Sequence, residues 1–172
     1  KRHAGFDVVT YVGDRTGTNG AQTINHNLGG VPEMYVVKNR DQSYPYHWYV
    51  YHKGMNGGTQ PERWVMELNQ NSSQSTNASN PFWNDTAPTS TVFSLGDHNR
   101  VNNTGDDFIA ILFRSIEGIS KVGFYDGTGS SRTITTGFQP RFLIIKGVTV
   151  SDEWWVLDTT RGWGSGTDKY LY

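Results

Sequence analysis

The chain of 172 residues contains no cysteine, which removes disulfides and thiolate metal sites from consideration. An excess of charge of either sign is also missing. Fifteen Lys and Arg stand against sixteen Asp and Glu, a formal net charge of −1. No basic field therefore draws phosphate backbones, and nucleic acid is not an expected partner. No apolar run approaches the roughly 20 residues of a membrane-spanning helix, so membrane insertion is not expected. Alanine, glutamate and leucine are scarce, and no stretch keeps an apolar period of 3.6 long enough to be read as a helix. The chain opens on Lys1 without a signal-peptide pattern, and it is expected to be a processed product or part of something longer.

What is present points to β-structure. The chain carries twenty glycines, six Trp, nine Tyr and eight Phe, with 35% hydrophobic and 18% charged residues. That profile suits strands joined by polar turns. A chain of this length hides roughly 70% of its extended surface on folding, enough for a real core without covalent staples. Short runs of β-branched and aromatic residues, bounded by Gly, Pro, Asn, Asp or Ser, predict strands over Phe6–Val12, Met34–Lys38, Trp48–His52, Trp64–Leu68, Thr91–Leu95, Phe108–Phe113, Lys121–Tyr125, Arg141–Lys146 and Trp154–Leu157. The expected fold is all-β, an antiparallel β-sandwich of the jelly-roll or lectin-like kind.

The chain also repeats itself. Gly29-Gly30-Val31-Pro32-Glu33-Met34-Tyr35-Val36-Val37-Lys38 is answered by Gly137-Phe138-Gln139-Pro140-Arg141-Phe142-Leu143-Ile144-Ile145-Lys146, with Pro and Lys at the same spacing. Gly5-Phe6-Asp7-Val8-Val9 matches Gly118-Ile119-Ser120-Lys121-Val122, Trp48-Tyr49-Val50 matches Trp154-Trp155-Val156, and Arg63-Trp64-Val65-Met66 finds an echo in Lys169-Tyr170-Leu171-Tyr172. The expected organisation is a single domain over 1–172 with an internal duplication, units 5–68 and 118–172 being joined by a loop-and-strand insert, 69–117. The second unit stops in a strand that would leave an edge exposed. The expectation is that the polypeptide continues past it or that a neighbouring chain pairs there. In each copy, the Gly-x-x-Pro lead-in shapes a turn, and the lysine (Lys38 in the first) marks where a buried strand reaches solvent. Within the insert, 69–80 reads as a polar surface loop, and Trp83 is expected to cap the core.

Chemistry-bearing residues are sparse. There is no G-x-S-x-G elbow and no phosphate-cradling glycine loop. His47 and His52 lie on one expected strand at a spacing that sends them to opposite faces. Carboxylates for glycoside hydrolysis would have to be drawn from Asp85, Asp106, Asp107, Asp152 and Glu153, but no spacing selects a pair. Asp97, Asn99, Asp106 and Asp107 sit in a segment dense in hard oxygen donors, a weak calcium candidate without the regular ladder of a calcium loop; a hairpin loop held by Asn and Asp side chains explains the same residues. Four N-x-[ST] matches, at Asn71, Asn77, Asn84 and Asn102, are what an Asn- and Ser-rich chain produces by chance. Trp48, Trp154 and Trp155 are expected in the core or at its edge. Rings near loops fit sugars and protein interfaces equally, so Tyr44, Tyr46, His47, Trp163 and Asp152 are taken as the candidate ligand-binding set. No cofactor is expected.

Several of these segments resemble a repeated module of bacteriophage tail-fibre and virion surface proteins, especially those of marine cyanobacterial phages. Gly5–Tyr11, Val31–Arg40, Gly137–Lys146 and, most specifically, Trp83-Asn84-Asp85-Thr86-Ala87-Pro88-Thr89-Ser90 carry the likeness. The resemblance implies a virion or extracellular location and a non-enzymatic role in binding a host cell-surface glycan or protein. Its partners would be other virion proteins and, by fibre analogy, further copies of itself as a homo-oligomer such as a trimer. It supplies no catalytic residues. A structural virion or filament subunit, and a glycan-degrading enzyme, are the alternatives.

Overall fold

The computed structural model describes residues 5–41, 47–76 and 78–160. Ten strands are present among them: β1 (Phe6–Val12), β2 (Gln22–Asn25), β3 (Met34–Asn39), β4 (Trp48–His52), β5 (Trp64–Glu67), β6 (Ser75–Thr76), β7 (Val92–Leu95), β8 (Asp107–Phe113), β9 (Phe142–Ile145) and β10 (Trp155–Asp158). Six form one antiparallel sheet in the order β1-β8-β3-β4-β5-β6, while β2 pairs with β7 and β9 with β10. The protein is an all-β, antiparallel sandwich.

Alternation along the strands decides which face is inside. Tyr35, Val37, Tyr49, Tyr51, Phe108, Ala110 and Leu112 point inward from the large sheet. They share one buried cluster with Ile24, Phe93 and Leu95 of the β2–β7 pair and with Phe82 and Trp83. Tyr35 is the hub: its ring stacks on Tyr51 at 4.6 Å and meets Trp83 and Phe93 at 5.0 Å each. The other face of the sheet also has a core. Val36, Val50, Met55 and Met66 are packed over by Trp48, Trp64, Val148 and Trp154. Trp154 Nε1 donates to the Glu67 carbonyl at 3.0 Å, and the Gln74 N–H donates to the Val148 carbonyl at 2.8 Å. The β9–β10 connection thus clasps the back of the sheet.

Several expectations change. Lys121–Tyr125 forms no strand. Its counterpart β1 is held by β8 in a full seven-residue register, and no such partner strand meets 121–125 among the described residues. Composition favours a strand, but an unpaired strand has nowhere to place its backbone hydrogen bonds. The strand at Met34 does not end at Lys38. It runs to Asn39, fully buried, where Nδ2 donates to Asp106 and Oδ1 accepts the Asp41 N–H. The 97–107 segment is not a hairpin loop: it holds one helical turn, α1 (Asn99–Asn102), and carries the chain from the β2–β7 pair to the large sheet. The polar 69–80 stretch contributes β6, which pairs with β5. Strand β2, too polar to stand out in the sequence, was not anticipated. Trp83 does not cap the core; it lies inside, with 0% exposure, and its Nε1 donates to the Trp64 carbonyl at 2.9 Å.

Two stability outcomes follow. Trp83→Ala should lose about 3–5 kcal/mol in denaturant unfolding, the range for deleting a large buried aromatic. The Tyr35 hydroxyl is buried without a hydrogen-bond partner, so Tyr35→Phe should be neutral or gain up to about 1 kcal/mol, since no bond is lost and an unmet polar group is removed.

Candidate functional site

Three polar loops converge at one end of the sandwich. The first follows β1 and carries Asp14, Arg15 and Asn19; the second precedes Pro81; the third follows β7 and carries Asp97 and α1. Asn102, fully buried, ties the first to the third: its Nδ2 donates to the carbonyls of Gly20 at 3.1 Å and Gly96 at 3.3 Å, and its Oδ1 accepts the Asp14 N–H at 3.3 Å. The second is joined to the third by the Gly96 N–H, which donates to the Phe82 carbonyl at 2.9 Å. Glycine is required at two of these approaches. A Cβ on Gly96 would sit 1.8 Å from the Pro81 carbonyl oxygen, and one on Gly20 would strike Asp97.

Between the loops lies a polar cleft of about 450 Å³, lined by Asn19, Ser79, Asn80, Asn84 and Asp97 among others. Arg15 forms an ion pair with Asp97 and donates to Asn99 Oδ1 at 2.6 Å, fixing one wall. Asn19, Asn84, Asp85 and Arg15 all adopt positive φ, a conformation that costs about 1 kcal/mol or more for a non-glycine residue and that clusters at functional sites. The cleft therefore presents amides, a hydroxyl and a carboxylate on a backbone held in shape by a buried hub.

The sequence-selected residues are distributed differently. Asp97 lines the cleft and Asn99 adjoins it through Arg15. Asp106 lies elsewhere, accepting from Asn39 Nδ2 at 2.8 Å, and Asp107 begins β8 with its N–H donated to Asp41. The four candidate metal ligands are thus not gathered, and among the described residues no group of three or more His, Asp and Glu is placed to hold a metal ion. His47 is half-buried beside Asn69, whose amide lies 3.0 Å from its Nδ1. Asp152 leans on the same turn, its N–H donating to the Asn71 carbonyl at 2.8 Å. Tyr44, Tyr46 and Trp163 lie outside the described residues. Of the tryptophans expected at the core, Trp48 and Trp154 are half-buried in the second cluster, whereas Trp155 is 37% exposed. Sequence reasoning did not single out Asn19, Ser79 or Asn80, and picked Asn84 only as a chance N-x-[ST] match and as part of the resemblance. The only signal was a small polar cluster in each of three separate loops, whose convergence depends on Asn102 and Gly96.

Two histidines shape this end and the opposite one as neutral rings. His98 stacks on Phe82 at 3.8 Å and caps α1 by accepting the Arg100 N–H on Nδ1. His52 Nδ1 accepts the Gly54 N–H at 2.9 Å. Burial, aided by Arg100 and Arg15 for His98 and by Lys53 for His52, lowers both to about 4 from an ordinary 6.5. Because the folded values are depressed, their contribution is complete above pH 6.5 and is lost as pH falls toward 4. The double variant His52→Asn/His98→Asn keeps an acceptor at each position, and its Tm should decline less steeply between pH 6.5 and 4 than that of the parent; an identical slope contradicts the assignment.

No curated protein and no solved structure matches the chain. One family does match, described as a domain of unknown function (DUF7483), over residues 1–171. The chain belongs to the DUF7483 family.

Proposed function

We propose that the chain is a non-enzymatic surface module that binds a host-cell glycan in the cleft between Asn19, Ser79, Asn84 and Asp97, in the virion setting that its sequence resemblance implies. The observation that carries this reading is the cleft itself. Sugar hydroxyls donate and accept at once, and so do side-chain amides and hydroxyls; here they are displayed on loops that the buried Asn102 and the Gly96–Phe82 backbone bond hold in one arrangement. A preorganised polar site of this kind spends little free energy on loop ordering when it binds. Single sites of such openness bind weakly, and several copies on one particle would raise the effective affinity through avidity.

A second reading, a structural virion subunit that contacts other virion proteins or its own copies, is favoured by a different feature. Phe6, Val8 and Val12 are 43%, 46% and 51% exposed on the outward face of β1, an apolar strip suited to a subunit contact.

Ser79→Trp separates the two. Ser79 is exposed, so Tm should stay within about 2 °C, while the filled cleft should lower binding to a glycan array and to whole host cells at least ten-fold. Loss of self-association in Val8→Lys, together with a silent array for the parent chain, would support the structural reading instead. Release of reducing sugar by the parent chain would overturn both.

A further inference from the structure

We propose that the β9–β10 hairpin is the centre of a second, incomplete sheet, and that its missing occupant is a polypeptide segment of the same kind as this chain's own residues 81–113.

The two hairpins are equivalent in register. In the first copy Met34 stands opposite His52 and Val36 opposite Val50. In the second, Phe142 stands opposite Asp158 and Ile144 opposite Val156. Those are the same pairs once Pro32 and Lys38 are laid on Pro140 and Lys146, and Trp48 on Trp154. Register equivalence fixes which faces correspond, because a one-residue slip would exchange them.

The surroundings differ most on the face that holds Tyr35 and Tyr49 in the first copy. Tyr35, Val37 and Tyr49 are 0% exposed, whereas Leu143 and Ile145 are half-buried and Trp155 is 37% exposed. The first hairpin owes the burial of that face to the insert. β8 pairs along the outer edge of β3 over six positions, and Phe82, Trp83 and Phe93 cover the face that holds Tyr35 and Tyr49. Among the described residues, no strand other than β10 pairs with β9, and no strand other than β9 pairs with β10.

A second, independent observation agrees. In the first copy β8 lies between β1 and β3, pairing with both. The copy of β1, Ile119–Tyr125, has the composition of a strand but is not one, with Ile119, Phe124 and Tyr125 at 67%, 55% and 47% exposure. One β8-like strand would serve both of its neighbours at once, inserting between 119–125 and β9. A segment bearing only that strand would leave the Leu143, Ile145, Trp155 and Leu157 face uncovered, so the occupant must also bring the equivalents of Phe82, Trp83 and Phe93. This chain's own 81–113 is already engaged on the first hairpin, so a second segment of the kind is needed.

The test is a chain in which residues 67–117 are repeated directly after Tyr172, which reproduces the spacing that follows Met66. Amide hydrogen exchange should slow at least ten-fold at Phe142–Ile145 and at Lys121–Tyr125 relative to the 172-residue chain, and tryptophan emission should shift to the blue as Trp155 is covered. Unchanged exchange at both segments in a folded extended chain overturns the proposal. A second comparison needs only the 172-residue chain: Trp155→Lys should leave Tm within about 2 °C, whereas Tyr49→Lys at the equivalent buried position should lower it by much more. Equal losses would mean that the second hairpin is already covered, and would equally overturn the proposal.

Discussion

Strand β8 is the constraint on which the rest of the structure depends. Asp107–Phe113 is apolar on both faces and pairs with β1 on one side and β3 on the other. Without it the N-terminal strand has no partner and the β3–β4 hairpin has an open edge. It comes from roughly seventy residues downstream of β3, so its pairing is strongly non-local. The loop-closure entropy of such pairings falls due before their contacts are made, which marks this chain as a slow folder for its size. The second copy shows what the same sequence pattern does where, among the described residues, no such strand pairs with it: a hairpin forms, because its pairing is local, but the copy of β1 does not become a strand.

The polar end of the sandwich depends on β8 as well. The turn α1 leads directly into it, and Asn102, at the end of that turn, joins the loop between β1 and β2 to the loop after β7. A buried amide with all of its bonds made sets geometry more than it adds stability, since each neutral bond contributes only about 1 kcal/mol net. Here it holds two loops at fixed separation, and Gly96, bonded to both Asn102 and Phe82, brings the third against them. The site and the sheet are thus consequences of one stretch of chain, residues 96–113.

Much of the architecture was legible in the sequence, for reasons that the packing makes plain. The strands at Phe6, Met34, Trp48 and Phe108 are long, β-branched or aromatic, and buried on at least one face, so their pattern declares them. The Gly-x-x-Pro lead-ins and their recurrence were legible too, because turn chemistry is local. β2 was hidden: in Gln22-Thr23-Ile24-Asn25 only Ile24 is buried, leaving no alternation to read. Lys121–Tyr125 misled because propensity reports what a segment would do with a partner, and the partner is a tertiary fact. The candidate site was the least legible part. Asp97 could be picked out as a polar donor, but Asn19, Ser79 and Asn84 acquire meaning only from convergence, and the aromatic loop residues first favoured lie in another part of the chain.

The central claim is that β8 organises one complete sheet while, among the described residues, the second copy's hairpin has no flanking strand. Native-state hydrogen exchange on the 172-residue chain, read residue by residue against denaturant, tests it most directly. Amides of Tyr35–Val37 and Phe108–Leu112 should exchange only through global unfolding, whereas those of Leu143–Ile145 and Val156–Leu157 should open locally with protection lower by about a hundred-fold or more. Equal protection across the two hairpins would contradict the account.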